Sequence, residues 1–259
     1  MYKRQAYAIV DEAEYAIDEK YILVDDVLTT LQQLARHHRK QLGTTVVGIT
    51  GTNGKTTTKE LIAAVLKEKF NTLYTQGNLN NHIGVPLTLL QLKKEHEIAI
   101  IEMGANHPGE IKLLAEIACP DYGIITNVGK AHLEGFGSFE GVKKTKAELY
   151  DYICSNGKLI FINKDNSHLM EMAVQSNIGN KRKEYSLNLE HHNSSVYGQV
   201  SSCSPFLTMK CTIGNAVSFD IDTKLIGIYN AENVLAAVTI GDFFGVEKLA
   251  SKAGLEQYT

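Results

Sequence analysis

Val46-Val47-Gly48-Ile49-Thr50-Gly51-Thr52-Asn53-Gly54-Lys55-Thr56-Thr57-Thr58 is an apolar run that ends in a glycine-rich loop. Helix-forming residues follow at once, Lys59-Glu60-Leu61-Ile62-Ala63-Ala64-Val65-Leu66. Strand, loop and helix in that order make a phosphate cradle. Small residues let backbone N–H groups turn inward, and the helix N-terminus adds partial positive charge. Lys55 can reach terminal phosphates, and the Thr56 hydroxyl can ligate Mg²⁺. The general P-loop pattern has a glycine where this chain has Ile49; here the glycines are Gly51 and Gly54. A glycine turn with a chance lysine would account for the loop, but not for strand, loop and helix all standing where the mechanism needs them.

Outward from this loop the pattern alternates. Strands are expected at 45–50, 72–75, 97–102, 122–126 and 158–162. Helices are expected at 56–69, 84–92, 108–118, 138–154 and 166–175. Apolar strands alternating with helices predict an α/β fold with a mostly parallel sheet covered on both faces, and ligands at the carboxyl ends of its strands. Residues 195–222 carry Val, Thr, Phe and Ile runs between turn residues and read as antiparallel strands added to that sheet. An apolar helix follows over 230–244, and a second short one from Val246. Before the loop, Tyr21-Ile22-Leu23-Val24 reads as a strand. Val27 to Gln41 reads as a helix, with Asp26 as N-cap and Gly43 as stop. One strand and one helix cannot bury a core alone, so residues 1–42 either pack on the next domain or are the remnant of a larger one.

The bulk numbers narrow the class. The chain has 259 residues, 44% hydrophobic and 21% charged, an ordinary globular balance with room for one large domain or two small ones. A net charge of −3 argues against a nucleic-acid surface. Cys119, Cys154, Cys203 and Cys211 form no CxxC pair and read as neutral thiols in a reducing compartment. No apolar run approaches membrane-spanning length and no signal-peptide core opens the chain, so a cytoplasmic protein without membrane partners is expected.

Further clusters fall at strand ends. Gly77-Asn78-Leu79-Asn80-Asn81-His82-Ile83-Gly84-Val85-Pro86 packs three amides and a histidine into five residues. A plain turn also favours Asn and Gly, but this density reads as a substrate-contact loop of Asn78, Asn80, Asn81 and His82. In Ile101-Glu102-Met103-Gly104-Ala105-Asn106-His107-Pro108-Gly109-Glu110-Ile111, Glu102 ends an apolar strand. A buried unpaired carboxylate is costly, and Mg²⁺ is a suitable partner; a salt bridge or cap is the alternative. Thr126-Asn127-Val128-Gly129-Lys130-Ala131-His132 follows the next strand, and Asn127 is counted with the substrate contacts. Lys144-Thr145-Lys146-Ala147-Glu148 alone reads as a charged helix face. Gly227-Ile228-Tyr229-Asn230-Ala231-Glu232-Asn233 alone reads as an Asn-capped helix start.

Gly-Thr-Asn-Gly-Lys-Thr-Thr is the form typical of the Mur ligases and the related folylpolyglutamate synthetases, and the chain resembles that superfamily over residues 21–250. The loops 80–90 and 102–111 are similar to those of its D-alanyl-D-alanine-adding branch. The resemblance implies an ATP-dependent amide ligase of peptidoglycan precursor synthesis. Such an enzyme joins D-Ala-D-Ala to a UDP-N-acetylmuramoyl-peptide through an acyl phosphate, forming ADP and phosphate. It implies ATP on Gly51, Thr52, Asn53, Gly54, Lys55, Thr56 and Thr57, with Asn230 and Asn233 near the adenine; Tyr229 stands where the family commonly has histidine. It implies Mg²⁺ on Thr56 and Glu102, a second Mg²⁺ served by His132, and a carbamate formed from CO₂ on Lys146. Lys55, Glu102, His132 and Lys146 would be the catalytic set. Residues 1–42 would be the end of an N-terminal UDP-sugar-binding domain and 43–259 the central ATP-binding domain, without the C-terminal domain. Such a monomeric fragment would bind Mg-ATP weakly and ligate poorly. Two other classes stay open: a folylpolyglutamate synthetase-like ligase and a non-catalytic ATP-binding module.

Overall fold

A computed structural model describes residues 6–130, 133–191, 194–214 and 218–259. In chain order its elements are β1 (Ala8–Val10), β2 (Tyr21–Leu23), α1 (Val27–Leu42), β3 (Thr45–Thr50), α2 (Lys55–Lys67), β4 (Thr72–Tyr74), α3 (Gly84–Leu89) and β5 (Ile98–Glu102). Then come α4 (Glu110–Ala118), β6 (Tyr122–Ile125), α5 (Leu133–Phe136), α6 (Phe139–Asn156), β7 (Leu159–Asn163), α7 (Ser167–Gln175) and β8 (Arg182–Ser186). β9 (Val196–Cys203), β10 (Leu207–Ile213), β11 (Phe219–Asp222), α8 (Asn230–Phe243) and α9 (Lys248–Gln257) complete the chain.

Among the described residues, nine strands form one sheet in the order β11-β10-β9-β8-β7-β6-β3-β5-β4. Pairing is parallel from β4 across to β9. It turns antiparallel only for β9-β10-β11. Side chains of β3 alternate between two separate cores, as the period of a strand requires. Val47 and Ile49 meet α2, α8 and α9, whereas Val46 joins Ala35, Val85, Leu89, Ile111, Leu149 and Leu169 under the helices of the other face. Both faces are therefore dry, which is why these strands read as continuous apolar runs. No helix among the described residues is long and apolar enough to cross a membrane.

Gly48 sits beneath α6. A Cβ there would stand 3.0 Å from Met103 Cε, 3.1 Å from Pro120 Cβ and 3.4 Å from Leu149 Cδ1. Leu149 lies one turn after Lys146, so the close approach of α6 at Gly48 helps set where Lys146 stands.

α1 packs on the main body against α3 and α4. Asp26 caps it by accepting from the Thr29 N–H at 2.6 Å, and Gly43 ends it at φ 68°. Buried Arg39 of α1 donates to Asp121 Oδ2 at 2.7 Å, and Asp121 also accepts from the Val46 N–H at 3.0 Å. β2 pairs in parallel with β1 in a sheet of their own.

Several boundaries differ from the sequence reading. β1 and β8 were not anticipated, and nor was α5; β8 is Arg-Lys-Glu-Tyr-Ser, too polar to announce itself, and is a strand because β7 pairs with it. α3 stops at Leu89 rather than 92, because Gln91 and Leu92 bond back three residues in tighter turns. α4 begins at Glu110 rather than 108, since Gly109 at φ 86° is left-handed. α2 likewise closes at Lys67, where Glu68 and Lys69 bond to carbonyls three residues back. α9 starts at Lys248 rather than 246. Asn230 does not cap α8: the capping position is Tyr229, with no side-chain cap, and the Asn230 amide donates instead to Ile226 O at 2.9 Å.

Candidate functional site

The loop after β3 lies where the sheet order reverses. From β3 the chain passes through α2 to the edge strand β4, and later crosses back to place β6 on the other side of β3. Loops after β3, β5 and β6 therefore share one crevice at the strand ends. Gly51 at φ 147° presses against Thr126, which a Cβ would strike, and left-handed Gly54 stands at the N-cap of α2. The Lys55 ammonium donates to the carbonyls of Gly51 and Thr52 at 3.0 and 3.2 Å. Burial pushes its pKa down, against a smaller opposing pull from Glu102.

The loop is braced from two sides. Asn127, expected among the substrate contacts, accepts from the Asn53 N–H at 3.0 Å and donates to Asn53 O at 3.1 Å. Thr126 Oγ1 donates to Asn53 O at 2.6 Å, and Gly129 N–H donates to Thr52 Oγ1 at 2.9 Å. From α8, Asn233 Oδ1 accepts from Thr58 Oγ1 at 2.9 Å, and its Nδ2 donates to Asn230 Oδ1 at 2.9 Å. Asn230 and Asn233 are both buried, with amides engaged inside the chain.

Glu102, 1% exposed, is the point where the strand-end loops meet. Its Oε1 accepts from Asn80 Nδ2 at 2.9 Å and lies 3.4 Å from Thr56 Oγ1. Its backbone N–H donates to Thr75 Oγ1 at 2.9 Å. Its Oε2 has no hydrogen-bond partner among the described residues but lies 3.5 Å from the Lys59 ammonium. Lys59 was missed by sequence reading. It starts the stripe continued by buried Ile62, Ala63 and Leu66 at i+3, i+4 and i+7, a spacing that marks an inward-facing position.

A cavity of about 450 Å³ opens beside the loop. Lys55, Asn78, Asn80, Asn81, His82 and Lys146 line it, together with Gly51, Thr52, Glu110, Leu114 and Phe136. Asn81 also accepts from Gly84 N–H at 2.8 Å, which fixes the start of α3. Lys146 is 3% exposed. Burial, helped by the charge of Lys55, pushes its pKa down to about 8, against the pull of Glu110 and Glu148. Glu148 accepts from the N–H groups of Gly109 and Lys112 at 2.8 Å each, so it closes the first turn of α4 and pins α6 to it. Burial alone would raise the Glu110 carboxyl, but N–H bonds from Asn106 and His107 hold it below its usual value. His132 lies outside the described residues.

Loop, acid and lysine thus gather at one strand-end crevice, the arrangement of a P-loop nucleotide-binding α/β domain. A family model for the Mur ligase middle domain matches residues 49–241, and the chain belongs to that family. It is 40% identical over 236 residues to the UDP-N-acetylmuramoyl-tripeptide–D-alanyl-D-alanine ligase of Bacillus subtilis, covering 90% of this chain and 49% of that protein. Among solved structures it is similar to MurF from Acinetobacter baumannii, with a TM-score of 0.85, 31% identity, and 97% of this chain and 54% of that chain covered. It is also similar to a MurF ligase from Thermotoga maritima in complex with ADP, with a TM-score of 0.81 and 27% identity over 98% of this chain and 57% of that one. The chain spans about half the length of these relatives.

Proposed function

We propose that this chain is the ATP-handling part of an ATP-dependent amide ligase that adds D-Ala-D-Ala to a UDP-N-acetylmuramoyl-tripeptide. The observation that carries the proposal is the convergence of Lys55, Thr56, Glu102 and Lys146 on one crevice. The Thr56 hydroxyl and Glu102 Oε1 face each other at 3.4 Å, and hard oxygen donors of this kind suit Mg²⁺. Held there, Mg²⁺ would neutralise the β/γ-phosphates.

The rest is done by the chain. Backbone N–H groups at the start of α2 and the Lys55 ammonium reduce the negative charge that an incoming carboxylate must approach. The peptide carboxylate attacks the γ-phosphorus, ADP leaves, and an acyl phosphate forms. The dipeptide amine attacks its carbonyl, the amide bond forms, a proton is released and phosphate departs. Lys146, with its pKa near 8, is about one quarter neutral at pH 7.5, against about one part in a thousand for an ordinary lysine. A neutral amine adds CO₂ through a new N–C bond and releases one proton to solvent, giving a carbamate, an anion suited to orienting a second cation with His132. Asn78, Asn80, Asn81 and His82 face the same cavity and are suited to holding the peptide end of the substrate. Residues 1–42 are read as the end of a UDP-sugar-binding domain and the protein as a cytoplasmic monomer.

The test is phosphate release from ATP with UDP-N-acetylmuramoyl-tripeptide and D-Ala-D-Ala, in a protein of the relatives' full length that contains this chain. Release that requires the dipeptide and vanishes in Lys55→Ala supports the proposal. Release driven instead by glutamate moves the chain to the folylpolyglutamate synthetase-like branch. ATP binding with no acceptor-dependent release makes it a nucleotide-binding module.

A further inference from the structure

Lys59 lies in the second turn of α2, three residues after Thr56 and four after Lys55. Its side chain is fully buried. An ammonium withdrawn from water is costly unless it is paired. Among the described residues its Nζ makes no hydrogen bond, and its anionic neighbours are Glu60 Oε1 at 3.3 Å and Glu102 Oε2 at 3.5 Å. The Tyr74 ring closes the pocket, with its centroid 5.9 Å from Nζ.

The two oxygens of Glu102 are therefore unequal. Oε1 meets Asn80 and Thr56 at the crevice, whereas among the described residues Oε2 meets only the buried ammonium. We infer that Lys59 is a positioning residue: its charge holds Oε2 of Glu102 in the interior, so that Oε1 is presented beside the Thr56 hydroxyl as a donor for a divalent cation. This rests on the reading of Thr56 and Glu102 as the Mg²⁺ site. Two effects of Lys59 oppose each other. It orients the carboxylate, which favours metal binding, and its own positive charge repels the cation. Fixed partners behind a metal ligand change affinity by about 10–100-fold when removed. Orientation is expected to win, because Oε2 is buried and has no other partner among the described residues to hold it.

The experiment is Mn²⁺ binding to this chain, followed by electron paramagnetic resonance with and without ADP. It uses wild type, Lys59→Met, Glu102→Gln and the double variant, with thermal midpoints for each and metal-free ADP affinity as control. Lys59→Met is expected to weaken ADP-dependent Mn²⁺ binding about tenfold while metal-free ADP affinity stays within about twofold. The double variant is expected to bind Mn²⁺ no more weakly than Glu102→Gln alone, and to regain the thermal midpoint lost in Lys59→Met. Lys59→Met with a lowered midpoint but unchanged Mn²⁺ affinity would make Lys59 structural and overturn the inference. Tighter Mn²⁺ binding in that variant would overturn it too, since repulsion would then dominate. Wild-type chain that binds Mn²⁺ equally with and without ADP overturns the metal site itself, and the inference falls with it.

Discussion

Lys146→Met removes a charge from the interior and keeps a side chain of similar shape. Lys146 is 3% exposed, and burial together with the charge of Lys55 lowers its pKa from an ordinary 10.5 to about 8. That gap corresponds to about 3 kcal/mol of unfavourable charging. The sign follows from the protons bound. Between pH 8 and 10.5 the unfolded chain holds the Lys146 proton and the folded chain has released it, so stability rises with pH across this window. Below pH 8 the folded chain carries the full penalty. Above 10.5 both states are neutral and the penalty is gone. Lys146→Met is therefore expected to be more stable than wild type at pH 7, by up to about 3 kcal/mol. The difference should shrink toward zero near pH 10.5. Urea unfolding of both proteins in CO₂-free buffer at pH 7, 8, 9 and 10 measures it. Adding bicarbonate near pH 8 should then stabilise wild type alone, because carbamate formation removes the buried ammonium. Curves that stay parallel at every pH, or a variant less stable at pH 7, would refute the argument that the folded chain holds this amine at a cost.

Asn127→Ala should weaken ADP binding by about five- to tenfold with little loss of stability, because the two bonds that hold the Asn53 backbone form on the surface of the loop; calorimetric titration measures it. Glu148→Ala should cost about 1–2 kcal/mol, the usual worth of a helix cap, since two N–H groups at the start of α4 lose their acceptor; the urea midpoint reports it. Gly48→Val should cost at least about 1–3 kcal/mol, because Met103, Pro120 and Leu149 leave no room for its methyl groups. It should also displace α6, read as a change in the Lys146 carbamate signal in ¹³C-bicarbonate NMR.

The parallel sheet was legible in the sequence because strands buried on both faces must be largely apolar, and β3, β5, β6 and β7 are, apart from polar residues at their ends. The loop at 51–54 was legible because Gly51 and Gly54 take positive φ angles that favour glycine. β8 was not, since Arg182, Lys183 and Glu184 give no apolar period and the strand exists through pairing with β7. The candidate site divides in the same way. Lys55, Thr56 and Glu102 stand out locally, the first two directly after a glycine-rich loop and the third as an acid ending an apolar strand. Glu148, Lys59 and the bracing roles of Asn127 and Asn233 do not, because each acts on a backbone group, a hydroxyl or a charge far away along the chain. Asn233 reaches Thr58 across 175 positions and Asn127 reaches Asn53 across 74. Sequence by itself determined most element types and the nucleotide loop, because these follow from local periodicity and backbone sterics, and its motifs carried the resemblance to the family. Only the tertiary structure decided which polar groups are spent holding the loop and which face the cavity. It also decided that Lys146 and Lys59 are buried, because burial is set by the packing of α6 and α2 on the sheet.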